Sequence, residues 1–342
     1  MRNTGKFATM MTFAAVMMLS IGISVAAAAG PKLAGTAYIA GHGGHLAVLD
    51  LATGDISRIV ITGAGGEIAG VIAGMVLNPA EKEAGGGTHG QALVGRNLYV
   101  GLLNGKVMKY NLDTEALTDL GPVGKKFCGA VTGPDGNINY MDMADGNVYQ
   151  FSPSKDKAAD VIPVGKAVCG IGWGKDNKKA FVSDMVMGNV FVLDWAGNKR
   201  TVNVIKGVGT FIHQLRNTPD QSQVWVTAAN EFKDLQPYAV AGKGKAEVVI
   251  IDTDKEEVVS RIDLTDEGAF PHDLAFTPDG KYALLTARTY ADDSVMLTID
   301  TKSHEILKET SLCKGCHDAA GIQVTIDQGS PLLCGIEVDW KK

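Results

Sequence analysis

Residues 248–264 read VVIIDTDKEEVVSRIDL, and most of the chain is built from variants of this pattern. Apolar and β-branched residues lead to an aspartate, a short polar turn follows, and a second alternating run leads away from it. Alternation on both sides of a short polar turn predicts a β-hairpin. Related stretches occupy residues 45–61, 107–123, 148–164, 190–205 and 295–312. The chain therefore contains six copies of one hairpin.

Another apolar run precedes each hairpin, and one more comes earlier still, which extends the repeat to four strands. The nearer runs are residues 37–41, 98–103, 138–143, 180–185, 224–229 and 283–288. Four antiparallel strands repeated every ~40–50 residues are typical of propeller blades. Radial packing buries the faces of such small sheets and protects their edges. We therefore predict an all-β fold, a β-propeller of four-stranded blades.

The repeat count predicts six blades, and we expect the N- and C-termini to complete one blade between them. The N-terminal part begins at a second strand, and residues 319–327, AAGIQVTID, have the pattern of the missing first strand. Residues 332–340, LLCGIEVDW, have the pattern of one more strand, and residues 64–88 are hard to assign. A seventh blade therefore stays open.

Two segments carry a resemblance to a known group of propellers. AYIAGHGGHLAVLDLATG at 37–54, and GKYALLTA at 280–287 with SVMLTIDT at 294–301, resemble the repeats of YVTN-type propellers. That group is similar to the propellers of quinoprotein amine dehydrogenases and haem-containing nitrite reductases. The resemblance covers nearly the whole chain after residue 30. It implies the fold and little about function, because this fold hosts many functions.

The first residues have the pattern of a secretory signal peptide. Arg2 and Lys6 form a basic start, residues 7–25 carry no charge, and small residues fill positions 26–30. These three features together define such a peptide. We expect residues 1–29 to be removed and residues 30–342 to form a single propeller domain in the periplasm or outside the cell. The alternative is an uncleaved membrane anchor.

The charge of the chain argues against nucleic acid as a partner. Removing Arg2 and Lys6 from the 32 basic residues leaves 30 against 38 acidic residues, a net charge of −8. A negatively charged protein is not attracted to polyanions or to an anionic membrane surface. We therefore expect no nucleic-acid partner. No later segment has the uncharged length to cross a membrane, so we expect no stable membrane insertion after cleavage. The motif at residues 313–317 indicates a periplasmic redox protein or a partner subunit as the expected partner.

Histidines and cysteines concentrate where the first strand of each predicted blade begins. These starts read THGQAL, FCGAV, VCGIG, FIHQL, FPHDL and GCHDAA, which place His89, Cys128, Cys169, His213, His272 and Cys316–His317 at matching positions. In a propeller such positions surround one mouth of the central channel, and the loop with His42 and His45 shares that face. Of the histidines, His304 falls on the opposite face. Converging imidazoles and thiols suit a borderline or soft metal ion, or a haem.

Other interpretations of these residues stay open. A histidine that recurs at one repeat position can hydrogen-bond from blade to blade, which applies to His213 and His272. Cys128 and Cys169 lie at matching positions in adjacent blades, so they form a disulfide, two buried apolar cysteines or two soft ligands. Residues 71–79 compete with the segment around His89 for the first strand of its blade.

Residues 313–317, CKGCH, match the C-x-x-C-H attachment site of a c-type haem. Cys313 and Cys316 would bind the two vinyl groups of the porphyrin, and His317 would bind the iron. Attachment takes place outside the cytoplasm, which the predicted export satisfies. Only 25 residues follow His317, so the haem would lie on the propeller face rather than in a separate domain. The alternatives are a disulfide, or half of a metal site, formed by Cys313 and Cys316.

The motif and the one-sided distribution of ligands predict a periplasmic haem c protein, which transfers electrons or serves as a subunit of a redox enzyme. A distal haem ligand would come from the same face. The candidates are His42, His45, His213, His272, Met143, Met185 and Met187. A histidine or methionine in that position makes an electron-transfer centre, and an empty position makes a catalytic one. The sequence does not choose between them.

Two further functions stay open. One is a non-haem copper or zinc protein whose ligands are drawn from His42, His45, His89, His213, His272, Cys128 and Cys169. The other is a metal-free interaction scaffold in which histidines and disulfides are structural. The sequence holds no G-x-S-x-G, Walker or H-E-x-x-H motif. Residues 230–245 form an insertion, long for a blade loop, that we expect to act as a lid or a docking element.

Overall fold

The computed structural model describes residues 30–41, 44–61, 87–229, 246–264, 270–288, 294–313 and 333–340. These residues form 24 strands in six antiparallel four-stranded sheets, with one short 3-10 turn at Lys175–Asn177. The six sheets are the blades of a β-propeller, which confirms the fold predicted from the repeat. Within these ranges, no helix is both long enough and apolar enough to cross a membrane.

The blades follow the order of the chain, except that the last strand joins blade 1. Blade 1 contains β1 (Gly35–Gly41), β2 (His45–Asp50), β3 (Ile56–Val60) and β24 (Leu333–Trp340); blade 2 contains β4 (Thr88–Val94), β5 (Asn97–Leu102), β6 (Lys106–Asn111) and β7 (Leu117–Pro122); blade 3 contains β8 (Phe127–Thr132), β9 (Ile138–Asp142), β10 (Asn147–Ser152) and β11 (Lys157–Pro163). Blade 4 contains β12 (Val168–Trp173), β13 (Lys179–Asp184), β14 (Asn189–Asp194) and β15 (Thr201–Ile205); blade 5 contains β16 (Ile212–Asn217), β17 (Gln223–Ala229), β18 (Ala246–Asp252) and β19 (Glu257–Asp263); blade 6 contains β20 (Phe270–Phe276), β21 (Tyr282–Arg288), β22 (Ser294–Asp300) and β23 (Ile306–Cys313).

The first strand of each sheet lies at the centre of the disc. β4, β8, β12, β16, β20 and β24 contact one another in this order, and β24 contacts β4 to close the ring. The fourth strands form the rim, where β7 and β11 are mostly exposed. Because all six first strands begin on the same side of the disc, their first residues occupy equivalent positions around one mouth of the channel.

The chain termini share blade 1, as predicted, but a different segment supplies its first strand. Leu333–Trp340 pairs with β1 in antiparallel orientation, with Ile336 opposite Ile39. The expected strand at 319–327 lies outside the described residues. Both segments alternate apolar and polar residues, so periodicity alone cannot rank them. Residues 332–340 had allowed a seventh blade, but the strand within them belongs to blade 1. The described residues therefore form six blades.

Apolar side chains fill the six interfaces between neighbouring blades. Between blades 5 and 6, Trp225 packs in one cluster with Leu285 and Leu297. Between blades 4 and 5, Phe181 packs with Val224. The other four interfaces each hold a cluster of the same kind. Burying one large apolar side chain contributes ~1.5–3 kcal/mol, so packing between blades is the main force that holds the disc together.

Five of the six hairpins have an aspartate or asparagine at the centre, which shapes the turn that follows it; the hairpin of blade 3 has Ser152 there. Oδ1 of Asp252 accepts hydrogen bonds from the backbone N–H groups of Asp254 and Lys255. Asp50, Asn111 and Asp300 bind their turns in the same way. Such local bonds favour a turn over a continued strand. They explain why five of the six repeats have an Asp or Asn at this position.

Candidate functional site

A β-bulge recurs at the mouth end of every first strand, and the candidate ligands occupy these bulges. The pairing of first and second strands shifts at His89, Cys128, Cys169, His213 and His272. In blade 1 the pairing of β24 with β1 shifts at Cys334 and Gly335. Bulges redirect side chains and often lie beside functional sites. Six bulge residues therefore surround one channel mouth.

The sixth position of this ring belongs to Cys334, whereas the sequence had predicted Cys316–His317 there. Cys316 and His317 lie outside the described residues. A signal for the correct assignment is present in the triplets 127–129, 168–170 and 333–335, each an apolar residue followed by Cys-Gly. The glycine is required because adjacent first strands approach closely there. A Cβ atom at Gly335 would clash with the carbonyl oxygen of His89.

Three histidines meet at the channel mouth, as expected from their matching positions. The ring centroids are 4.0 Å apart for His213 and His272, 5.2 Å for His89 and His272, and 5.8 Å for His89 and His213. One nitrogen from each ring lies within 4.8 Å of the others, and all three residues are buried. Nitrogens bound to one tetrahedral ion are ~3.4 Å apart at normal bond lengths. The separation of the three nitrogens is therefore of the order that a shared ion requires.

Cys128 and Cys169 form a disulfide between the adjacent blades 3 and 4. Their Cα atoms are 4.9 Å apart, and both residues are fully buried. Of the three alternatives left by the sequence, the structure shows the cross-link. Sulfur atoms in a disulfide carry no negative charge, so these two cysteines are not thiolate ligands in this state.

The ring of His89 is held by a hydrogen bond to the next blade. Its Nδ1 atom donates to the carbonyl oxygen of Cys128. Because a carbonyl oxygen only accepts, Nδ1 carries the proton and the lone pair is on Nε2. Metal-binding histidines are commonly oriented in this way. The ring of His89 therefore makes a blade-to-blade bond of the kind considered for His213 and His272. The ring of His213 also interacts with the backbone of His272 in the next blade.

Hydroxyl groups tie the backbones of His213 and His272 to their neighbours. Ser183 Oγ donates to the carbonyl oxygen of His213 at 2.5 Å, and Thr227 Oγ1 donates to that of His272 at 2.8 Å. The same hydroxyls accept the bulge N–H groups of Gly170 and Gln214. These two hydroxyls therefore link neighbouring blades by bonds that do not involve the imidazole rings.

One ring nitrogen of His213 has no hydrogen-bond partner among the described residues. Its Nε2 atom lies 3.5 Å from Sγ of Cys128. Its Nδ1 atom is buried and has no hydrogen-bond partner among the residues that the structure describes. A buried polar group without a partner costs ~1–3 kcal/mol. A bound ion or ligand would offset this cost.

Burial keeps two of these imidazoles neutral. It lowers the pKa of His89 to about 4. Burial also lowers the pKa of His213 to about 3, and the neighbouring His89 lowers it further. A hydrogen bond with the backbone of His272 acts in the opposite direction and raises this pKa. A neutral imidazole is the form that binds a metal ion. Both rings are therefore in the ligand form at neutral pH.

Apolar and sulfur-containing side chains surround the histidines. Phe211, Phe270 and Met185 form one buried cluster with the disulfide, and Met143 packs against it. The ring of Phe211 stacks on that of His213, with centroids 6.1 Å apart. These contacts make the surroundings of the histidines largely apolar. Of the methionines predicted on this face, Met143 and Met185 lie at the site, whereas Met187 is 43% exposed.

Polar side chains from β16 cross the channel and close it beneath the histidines. Gln214 Nε2 donates to the carbonyl oxygen of Cys128 at 3.0 Å. Arg216 forms a bidentate ion pair with Asp273, with Nε 3.0 Å from Oδ1 and Nη2 2.7 Å from Oδ2. Nη1 of Arg216 also donates to the carbonyl oxygen of Ala130. On the far side of this barrier lies a cavity of about 340 Å³. The histidine site is therefore closed on one side.

The remaining predicted residues fall into three groups. His45 begins β2 opposite Gly41, and Gly41 also pairs with Leu333. The backbone of His45 therefore lies at the same end of its sheet as the bulge residues. Cys313 ends β23 opposite Ser294, at the mouth edge of blade 6. His42, together with Cys316, His317 and the insertion at 230–245, lies outside the described residues. His304 packs edge-on against Trp225, 5.7 Å away, in a turn far from the ring.

Fold and site together define a six-bladed β-propeller with a buried histidine and cysteine cluster at one channel mouth. No protein family model matches the chain, and no curated protein matches it. Among 1561 similar chains of known structure, one belongs to hydrazine synthase of Kuenenia stuttgartiensis. It has a TM-score of 0.50 and 19% identity, over 61% of this chain and 61% of that chain. The match spans less than two thirds of the hydrazine synthase chain and shows a shared fold alone.

Proposed function

We propose that the protein is an exported metal-binding propeller in which His89, His213 and His272 hold one copper or zinc ion. The observation that carries this proposal is the approach of one nitrogen from each buried ring to within 4.8 Å of the others. Imidazole is a good ligand for both ions. The hydrogen bond from His89 to Cys128 and the low pKa values of His89 and His213 prepare neutral ligands.

One buried polar atom supports a bound ligand at this site. Polar groups are buried in proteins when they are satisfied, and Nδ1 of His213 has no partner among the described residues. Three histidines would leave one position of a tetrahedral ion open, as in catalytic zinc sites. The apolar cover from Phe211 and Phe270 would restrict that position to small ligands.

Metal analysis of the purified protein tests this proposal. We expect one copper or zinc ion per chain after equilibration with the metal and removal of excess. The double variant His213→Ala, His272→Ala should lose it. The matched control is His304→Ala, which removes a histidine distant from the ring and should retain the ion. Binding by the wild type that is no tighter than binding by the double variant would overturn the proposal.

A c-type haem is a second candidate, because the motif at 313–317 begins on the same face as the histidines. Cys313 ends β23 in a row with Ser294, Arg288 and Phe270, the first residue of β20. Three strand spacings separate β23 from β20, or ~14 Å. A haem bound at Cys313, Cys316 and His317 would lie near the rim of the mouth. The protein would then serve electron transfer, or a redox enzyme, with a periplasmic redox protein or partner subunit at this face.

The haem candidate is tested on protein produced in a host with c-haem maturation. Haem that resists acid–acetone extraction and disappears in Cys316→Ala would support it. Colourless protein under these conditions would reject it. N-terminal sequencing of the exported chain tests the predicted compartment, with Gly30 expected as the first residue.

A further inference from the structure

His213 lies between two groups of donor atoms, and only one of them is used by the proposed three-histidine site. The second group consists of His213, Cys128 and Cys169, whose ligand atoms also lie within 4.8 Å of one another. Sγ of Cys128 is 3.5 Å from Nε2 of His213. All three residues are buried. The two groups therefore share one imidazole.

The surroundings of the second group are rich in sulfur. Sδ of Met185 lies 4.0 Å from Sγ of Cys169. Both atoms belong to the buried cluster that includes Phe211 and Phe270. Thiolate and thioether ligands in a dry pocket select soft ions such as Cu(I), and thiolates also bind Zn²⁺ and Cd²⁺. The pocket thus has the chemistry of a soft-metal site once its cysteines are thiols.

The disulfide and such a site cannot exist together. Reduction by a dithiol breaks the bond between the two sulfurs, and two electrons and two protons convert them to two thiols while the dithiol becomes a disulfide. Binding of a divalent ion then displaces two protons and gives two metal–thiolate bonds. An exported chain also passes through the thiol state before its disulfide forms.

We propose that Cys128, Cys169 and His213 form a thiolate site for a soft metal ion in the reduced protein, mutually exclusive with the disulfide. Met185 is placed to add a weak thioether ligand. This inference goes beyond the three-histidine proposal, with which it shares only His213. The oxidation state of one cysteine pair thereby determines which donor atoms are offered to a metal ion.

Cadmium is the probe of choice, because Cd²⁺ does not oxidise thiols and its thiolate complexes absorb in the near ultraviolet. The background variant carries Cys313→Ser and Cys316→Ser, which removes the other closely spaced cysteines. It is reduced in denaturant with a phosphine, refolded without oxygen, and checked by thiol counting. We expect one Cd²⁺ per chain with thiolate charge-transfer absorption. Adding Cys128→Ser or Cys169→Ser should weaken binding by about 100-fold or more and remove most of the band.

Two controls separate this site from the three-histidine site. In the reduced background, His89→Ala with His272→Ala should keep the cadmium band, whereas the same pair should abolish metal binding to the oxidised protein. His213→Ala should weaken binding in both states. Refolding that occurs only with Cd²⁺ present would also support the proposal, because the ion then replaces the cross-link. The proposal would be overturned if the refolded protein showed no cadmium–thiolate band, or if Cys128→Ser and Cys169→Ser left the band unchanged. Failure of the reduced protein to refold, with or without Cd²⁺, would also overturn it.

Discussion

The imidazole of His89 donates its Nδ1 proton to the carbonyl oxygen of Cys128, one blade away. Gln214, two blades further along the ring, donates to the same oxygen from across the channel at 3.0 Å. One carbonyl therefore orients a candidate ligand and anchors the group that closes the channel below it. The two donors differ in one respect that can be measured: only His89 also offers a nitrogen to a metal ion.

Replacing His89 by Ala should weaken copper or zinc binding by about 100-fold or more, since loss of even a supporting group costs up to that much. It should also lower the free energy of unfolding of the metal-free protein by about 1 kcal/mol, through the lost hydrogen bond. The matched control, Gln214→Ala, should show a similar loss of stability with a smaller change in metal affinity. Metal titration and urea unfolding measure the two effects. Equal losses of affinity in both variants would contradict the assignment of His89 as a ligand.

The disulfide between Cys128 and Cys169 should be a large contributor to stability. It closes a loop of 41 residues, for which loop-closure entropy predicts about 4 kcal/mol, and measured values are often smaller. The double variant Cys128→Ala, Cys169→Ala should therefore lose about 2–4 kcal/mol in denaturant unfolding of the metal-free protein. Adding a phosphine reductant should destabilise the wild type by a similar amount and leave the double variant unchanged. Wild-type stability in the double variant would show that the cross-link contributes nothing.

The repeated hairpin was sufficient to predict the blades, because alternation and turn residues are local properties of the chain. The same repeat brought His89, His213 and His272 to one mouth, since matching positions become neighbours in a propeller. Local pattern could not show whether residues 319–327 or residues 332–340 form the first strand of blade 1, because apolar and polar residues alternate in both segments. Only contacts with the other first strands distinguish them. Pairing of Cys128 with Cys169 depends on how closely two strands approach, which no periodicity records.

Strain in the turn of blade 2 offers a stabilising substitution. Glu115 has a φ of 56°, in the left-handed region, whereas the equivalent residue of blade 1 is Gly54, with a φ of 83°. A side chain in this conformation costs ~1–2 kcal/mol, part of which the greater freedom of glycine in the unfolded chain cancels. Glu115→Gly should therefore raise the free energy of unfolding by about 0.5–1 kcal/mol. Glu115→Ala keeps the strain and should give no gain, so an equal gain in both variants would point to the lost charge instead.

Glu337 in β24 should make the stability of the protein depend on pH. Burial raises the pKa of this carboxyl to about 7, with Asp273 adding to the shift and Arg216 opposing it. The group is ordinarily ionised above pH ~4.5. Between about pH 4.5 and 7 the folded protein thus holds a proton that the unfolded chain has released. The free energy of unfolding contributed by this group is therefore full below pH ~4.5 and falls as pH rises toward 7.

Replacing Glu337 by Gln should remove this dependence, because an amide mimics the neutral acid at every pH. The full shift corresponds to about 3 kcal/mol, and partial exposure of the side chain reduces the expected gain at pH 8 to about 1–2 kcal/mol. The exposed Glu115→Gln serves as the control and should leave the pH profile unchanged. Urea unfolding of the metal-free proteins from pH 5 to 8 measures the difference. Parallel profiles for the wild type and Glu337→Gln would mean that this carboxyl is ionised at neutral pH, held in that form by Arg216.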